Sequence, residues 1–138
     1  MLDLMIAAAL AQASAPSPCD AADQPEAARP GCPHWRTLAS DARHVTSVDP
    51  ASVVRGGGGF WIVMRIVYSE EREYRARSAL VRYRFDCLAR TSVGVHVTVF
   101  DAAGLRIDER DVTGRTPRPE TPGTPSADLL NEFCPARG

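Results

Sequence analysis

The sequence predicts an α+β fold: an antiparallel β-sheet of about six strands with a C-terminal α-helix packed on one face and tethered there by a disulfide. Three observations carry this. Between residues 35 and 112, runs of β-branched and aromatic residues alternate with short turn segments. A lone helical signature, "TPSADLLNEFC", follows at 124–134. Cys87 and Cys134 each fall on the apolar side of their own segment.

The elements follow in order. Residues 35–39 read as a first strand and "HVTSV" at 44–48 as a second. Asp49-Pro50-Ala51-Ser52 reads as a turn, because Pro50 fixes φ while Asp49 and Ser52 can bond neighbouring amides. Four glycines at 56–59 then run into "FWIVMRIVY" at 60–68. A phosphate-binding loop needs a helix after its glycines, and one of the P-loop type also needs a lysine. Here a β-branched, aromatic run follows and the chain has no lysine, so the glycines read as a strand-to-strand connection. Residues 60–68 are apolar on both faces, which predicts a central strand. Glu70, Glu71, Arg72 and Glu73 make a charged hairpin tip, and 74–87 reads as one long strand. Its later half places Val81, Tyr83, Phe85 and Cys87 on one face and Arg82, Arg84 and Asp86 on the other. Val93, Val95, Val97 and Val99 read as the buried face of the next strand. A hairpin turn at 101–104 leads to a polar, edge-like strand at 105–112, and the prolines of 113–123 set an extended linker. In the final segment Thr124 is suited to cap the helix, Pro125 to its first position and Asp128 to its positive end. Leu129, Leu130, Phe133 and Cys134 share one face.

Length and composition bound the rest. The 138 residues suffice for one domain, and 44% hydrophobic with 24% charged residues is ordinary for a globular chain. A formal net charge of −1 speaks against a nucleic-acid partner. All 16 basic residues are arginine, which excludes Schiff-base chemistry by a lysine. A short apolar run at 4–10, followed by Ala11-Gln12-Ala13 and Ala13-Ser14-Ala15, reads as a signal peptide over 1–13, with cleavage after Ala13 or Ala15. The run is too short to span a bilayer, which takes about 20 apolar residues. Residues 14–34, rich in Ala, Pro and Asp, read as a flexible arm, and 35–138 as a single domain. The chain is therefore expected to be exported, to the periplasm or the cell surface.

Four cysteines, Cys19, Cys32, Cys87 and Cys134, in an exported chain point to two disulfides. Cys19 follows Ser17-Pro18 rather than a lipoprotein cleavage pattern, and Cys19, Cys32 and His34 are irregularly spaced for zinc and lack a fourth ligand. Four cysteines allow three pairings. The apolar placement of Cys87 and Cys134 favours a bridge between strand and helix, worth about 4 kcal/mol in the chain-entropy model. Cys19–Cys32 remains, at about 3 kcal/mol.

The order and spacing of Trp35, "SVDPASVVR" at 47–55, the strand with Trp61, "FDC" at 85–87, "FDAAG" at 100–104 and a terminal helix ending in Cys134 resemble the surface-adhesin protein E family of Gram-negative bacteria. The resemblance covers roughly residues 35–134. It implies an antiparallel sheet whose C-terminal helix is tethered by a disulfide, and a surface protein that adheres by binding other proteins.

No catalytic constellation stands out. His34, His44 and His96 have no nucleophile beside them in the pattern, and a turn accounts for Asp49 and Ser52. No metal or cofactor is implied. The strongest candidate for binding is a basic stripe of Arg65, Arg82 and Arg84, with Arg75 and Arg77 nearer the hairpin tip and Trp61 and Tyr74 adding contact area. The alternative is a solvated face offset by Glu70, Glu71, Glu73 and Asp86. The expected function is a non-enzymatic exported module that binds a protein or an envelope component. The alternatives are a periplasmic structural or assembly protein and, behind it, a hydrolase with an unrecognised site.

Overall fold

The computed structural model describes residues 33–135. The expected leader, all but the last two residues of the arm, and the Cys19–Cys32 pair lie outside the described residues. Six strands run as an antiparallel meander in chain order: β1 (Arg36–Ser40), β2 (His44–Gly56), β3 (Gly59–Tyr68), β4 (Ser78–Asp86), β5 (Thr91–Phe100) and β6 (Arg106–Asp111). A two-residue β7 (Arg118–Pro119) pairs with the start of β5, and α1 (Pro125–Phe133) closes the chain.

The glycine run resolves into a two-residue hairpin. Gly57 and Gly58 have φ of +60° and +77°, as a turn matched to strand twist requires. Gly59 begins β3, and a Cβ there would lie 1.9 Å from the Phe85 carbonyl oxygen, so only glycine lets β4 approach.

One face of the sheet is the core. Val48, Phe60, Ile62, Met64 and Phe85 are buried there against Leu129 and Leu130 of α1. The Phe60 and Phe85 rings stack at 4.9 Å, and Phe133 tilts against Phe60 at 5.5 Å. Burying each leucine contributes about 1.5–3 kcal/mol. The helix needs this support, since nine residues are too few to be stable alone in water. Thr124 caps it by accepting the Ala127 amide at 3.2 Å. Cys134, immediately after the helix, is bonded to Cys87, just past β4, with Cα atoms 5.6 Å apart and a sequence separation of 47. Three arginines grip the outer side. Arg36 Nη2 donates to both carboxylate oxygens of Glu132 at 2.7 and 3.1 Å, Arg90 donates to Asn131 Oδ1 at 2.9 Å, and Arg55 reaches the Phe133 carbonyl at 3.4 Å.

Four local expectations are corrected. Residues 49–52 are not a turn between strands. They are a bulge inside β2, where pairing with β3 skips from Asp49↔Val63 to Val54↔Trp61. The local bonds expected of a turn do form: Asp49 Oδ1 accepts the Ala51 amide at 3.0 Å, and Ser52 Oγ donates to the Asp49 carbonyl at 2.6 Å. The strand survives because Ser52 Oγ also accepts the Val63 amide at 2.9 Å, supplying the acceptor that the bulge removes. Second, residues 74–77 are not strand. Tyr74 and Arg75 have φ of 59° and 65°, and the Arg72 amide donates to the Ala76 carbonyl at 2.8 Å, closing a loop at 69–77. Third, the valines do not share one face. Tyr83 pairs with Gly94 and Arg82 with His96, so Val95 bulges; Val97 and Val99 face the helix side while Val93, opposite Arg84, faces away. Fourth, the linker at 113–123 contributes β7 to the sheet. β6 is the polar edge strand expected, fully exposed, with Arg106–Glu109 and Arg110–Asp108 ion pairs at 2.7 and 2.9 Å.

Two outcomes follow from this packing. Replacing Cys87 and Cys134 together by Ser lowers the unfolding free energy by about 4 kcal/mol, read from the urea midpoint, with loss of helical far-UV signal. Ser52→Ala leaves the Val63 amide without its acceptor and costs about 1–3 kcal/mol in the same measurement.

Candidate functional site: the helix-free face of the sheet

The face away from α1 is built by the same alternation that builds the core. Pairing sets its residues in transverse rows: Val54, Trp61, Arg84 and Val93; then Asp49, Val63, Arg82, His96 and Asp111; then Ser47, Arg65, Leu80, Thr98 and Glu109. Trp61, Arg65, Arg82 and Arg84 are therefore brought together. The Arg84 guanidinium lies over the Trp61 ring at 4.1 Å from its centroid and Arg82 at 5.7 Å, one strand over. Arg84 Nη2 also donates to the Gly57 carbonyl at 2.8 Å, which fixes it. Arg65 lies over Trp35 at 4.7 Å, a contact the sequence reading missed. Trp35 lies two residues ahead of Thr37, which pairs with Ser47 on this face; that parity shows only once β1 is paired with β2.

Stacking leaves the edge of a guanidinium open, and its donors lie on that edge. Arg82 is exposed, and among the described residues it has no carboxylate within 4.0 Å and no hydrogen-bond acceptor. The acids weighed as its counterweight are used elsewhere or sit far off. Asp86 Oδ1 accepts the amides of Leu88 and Ala89, both at 2.9 Å. Glu70, Glu71 and Glu73 belong to the loop at the opposite end of the β3–β4 hairpin from Trp61.

That loop also separates Tyr74, Arg75 and Arg77 from the Trp61 cluster. β4 runs six residues from Ser78 to Arg84, about 20 Å. Tyr74 is 90% exposed and lines a groove of about 380 Å³ with Val99, Ile107 and Asp108. A larger groove of about 760 Å³ runs beside the Cys87–Cys134 bridge, between Leu88, Arg90 and Leu130.

Of the groups considered for catalysis, Ser52, His44 and His96 have structural partners. Ser52 Oγ is occupied by the Asp49 carbonyl and the Val63 amide. His44 Nδ1 lies 3.5 Å from Asp41, and His96 Nε2 lies 2.9 Å from Glu109, which also takes Arg106. The Thr113 amide and hydroxyl hold Asp111 below the usual carboxylate range, so it stays charged at the edge of this face. Burial, aided by the charge of Glu120, pushes the Tyr83 phenol above its ordinary value and keeps it neutral on the helix side. Among the described residues no three His, Cys, Asp or Glu side chains converge as a metal site.

A family model described as surface-adhesin protein E matches residues 35–135. No curated protein and no solved structure matches the chain.

Arg84 and Arg82 should separate in stability measurements. Arg84→Met gives up the stacking on Trp61 and the bond to Gly57 and costs about 1–2 kcal/mol. Arg82→Met, which loses only the longer contact over Trp61, changes the urea midpoint by the equivalent of about 0.5 kcal/mol or less.

Proposed function

The chain belongs to the surface-adhesin protein E family, and from that premise we propose that it is an exported, non-enzymatic binding module that holds a protein or an envelope component on the helix-free face of its sheet. The observation that carries this is Arg82: an exposed guanidinium, set beside Trp61, whose donors meet no acceptor among the described residues. Arginine and tryptophan are the residue types that concentrate binding energy in protein interfaces. On the opposite face α1 covers Phe60, Ile62 and Phe85.

The family supports a surface location, and no helix among the described residues is long and apolar enough to cross a membrane. The structural partners of Ser52, His44 and His96 support a role outside catalysis. A periplasmic structural or assembly protein would use the same face on a different side of the outer membrane.

The test is a pull-down from envelope and matrix extracts with the wild-type chain and with Arg82→Ala. Loss of specific partners in the variant supports the reading, and identical recovery removes it. Protease added to intact cells assigns the compartment: a surface module is cleaved and a periplasmic one is protected.

A further inference from the structure

Along β4 the helix-free face presents Arg84, Arg82 and Leu80, alternate residues of one strand. Alternate residues of a strand lie about 6.6 Å apart, and so do alternate side chains of any other extended chain. The column thus offers two positive charges and then a half-buried apolar side chain, at the repeat of a peptide lying parallel or antiparallel to β4. Val63 and Val93, flanking the two arginines in the neighbouring strands, are also half-buried. Arg82 has five N–H donors on its open edge, and a carboxylate accepts two of them side by side.

Resting on the binding face assigned above, we propose that the ligand is an extended acidic segment of a partner protein, with the pattern acid–x–acid–x–apolar. The first acid faces Arg84, the second forms the paired contact with Arg82, and the apolar residue covers Leu80. Charge complementarity selects the acids. The apolar third position favours a polypeptide over a sulfated sugar chain, whose charges would leave Leu80 without a partner. Arg84 contributes chiefly charge and position, since one of its amino groups is already held by Gly57 and the other is buried. Asp111 lies exposed at one end of the Arg82 row, and its charge disfavours an acidic chain that crosses the sheet there rather than following the β4 column.

The probes are fluorescein-labelled synthetic peptides measured by anisotropy against the full chain. One carries Asp-Ser-Asp-Ser-Leu-Ser, one has Asn for both Asp, and one has the two Asp adjacent. The alternating peptide should bind at least about tenfold more tightly than the Asn peptide, and Arg82→Ala should lose about tenfold of that affinity. The adjacent-Asp peptide should bind several-fold more weakly, and 0.5 M salt should weaken the alternating one. Equal affinity for the Asn peptide, indifference to Arg82→Ala, or preference for a sulfated oligosaccharide over every peptide overturns the proposal. Arg82→Gln, which keeps a polar side chain of similar reach, serves as the second variant, and far-UV signal confirms that each variant is folded. If no peptide binds while the pull-down still depends on Arg82, the acidic ligand is wrong and the binding face stands. If the pull-down is also indifferent to Arg82, both readings fall.

Discussion

The contact of α1 with Phe60 and Phe85 organises the molecule. A helix of nine residues has no stability of its own, and a sheet with Val48, Ile62 and Met64 on one face has no way to hide them alone. Each completes the other, and the Cys87–Cys134 bond makes the arrangement hard to leave by shrinking the freedom of the unfolded chain. The bond also sits at the helix end where Phe133 meets Phe60, so covalent and apolar constraints act on the same few residues. The arginines from β1, from the end of β2 and from the β4–β5 turn add direction rather than much energy, since exposed ion pairs are individually weak.

Spending the helix on one face leaves the other to be finished by different means. Among the described residues no second layer covers Val63, Leu80 or Val93. Long arginine side chains lie over tryptophans instead, shielding ring surface with their stems while holding charge at the boundary with water. This gives the two faces unlike properties. One is apolar, closed and concerned with stability; the other is partly open, positively charged in its centre and carboxylate-bearing at its margins. Arg84 belongs partly to each role, because its bond to Gly57 also steadies the hairpin turn. Arg82 carries almost none of the structural load.

The sequence was legible wherever local rules act without interruption. Thr124, Pro125 and Asp128 mark a helix start whose chemistry is complete within five residues. The alternation from Val81 to Cys87 runs without a bulge, so the face of Cys87, and with it the pairing to Cys134, followed from counting by two. The co-location of Trp61, Arg82 and Arg84 was readable for the same reason. Counting failed at Val95, where one extra residue reverses the face of everything before it. It failed at Pro50 because Asp, Pro and Ser make the same local bonds in a bulge as in a turn, and only the distant Val63 amide distinguishes them. The bonds that turn residues 74–77 away from the strand lie between Arg72 and Ala76, and between Tyr68 or Phe100 and Arg77; they hold Tyr74 and Arg75 in a backbone region that their residue types alone do not favour. Trp35 was assigned to a strand but not to a face, since its neighbours alternate too weakly to say which way it points.

β6 has one further consequence. Its side chains are exposed throughout, and its arginines and acids bond to one another along the strand. A neighbouring molecule seeking to extend the sheet there must first break those contacts and bring its own backbone against alternating charge. That border of the sheet is thereby closed to fibre growth.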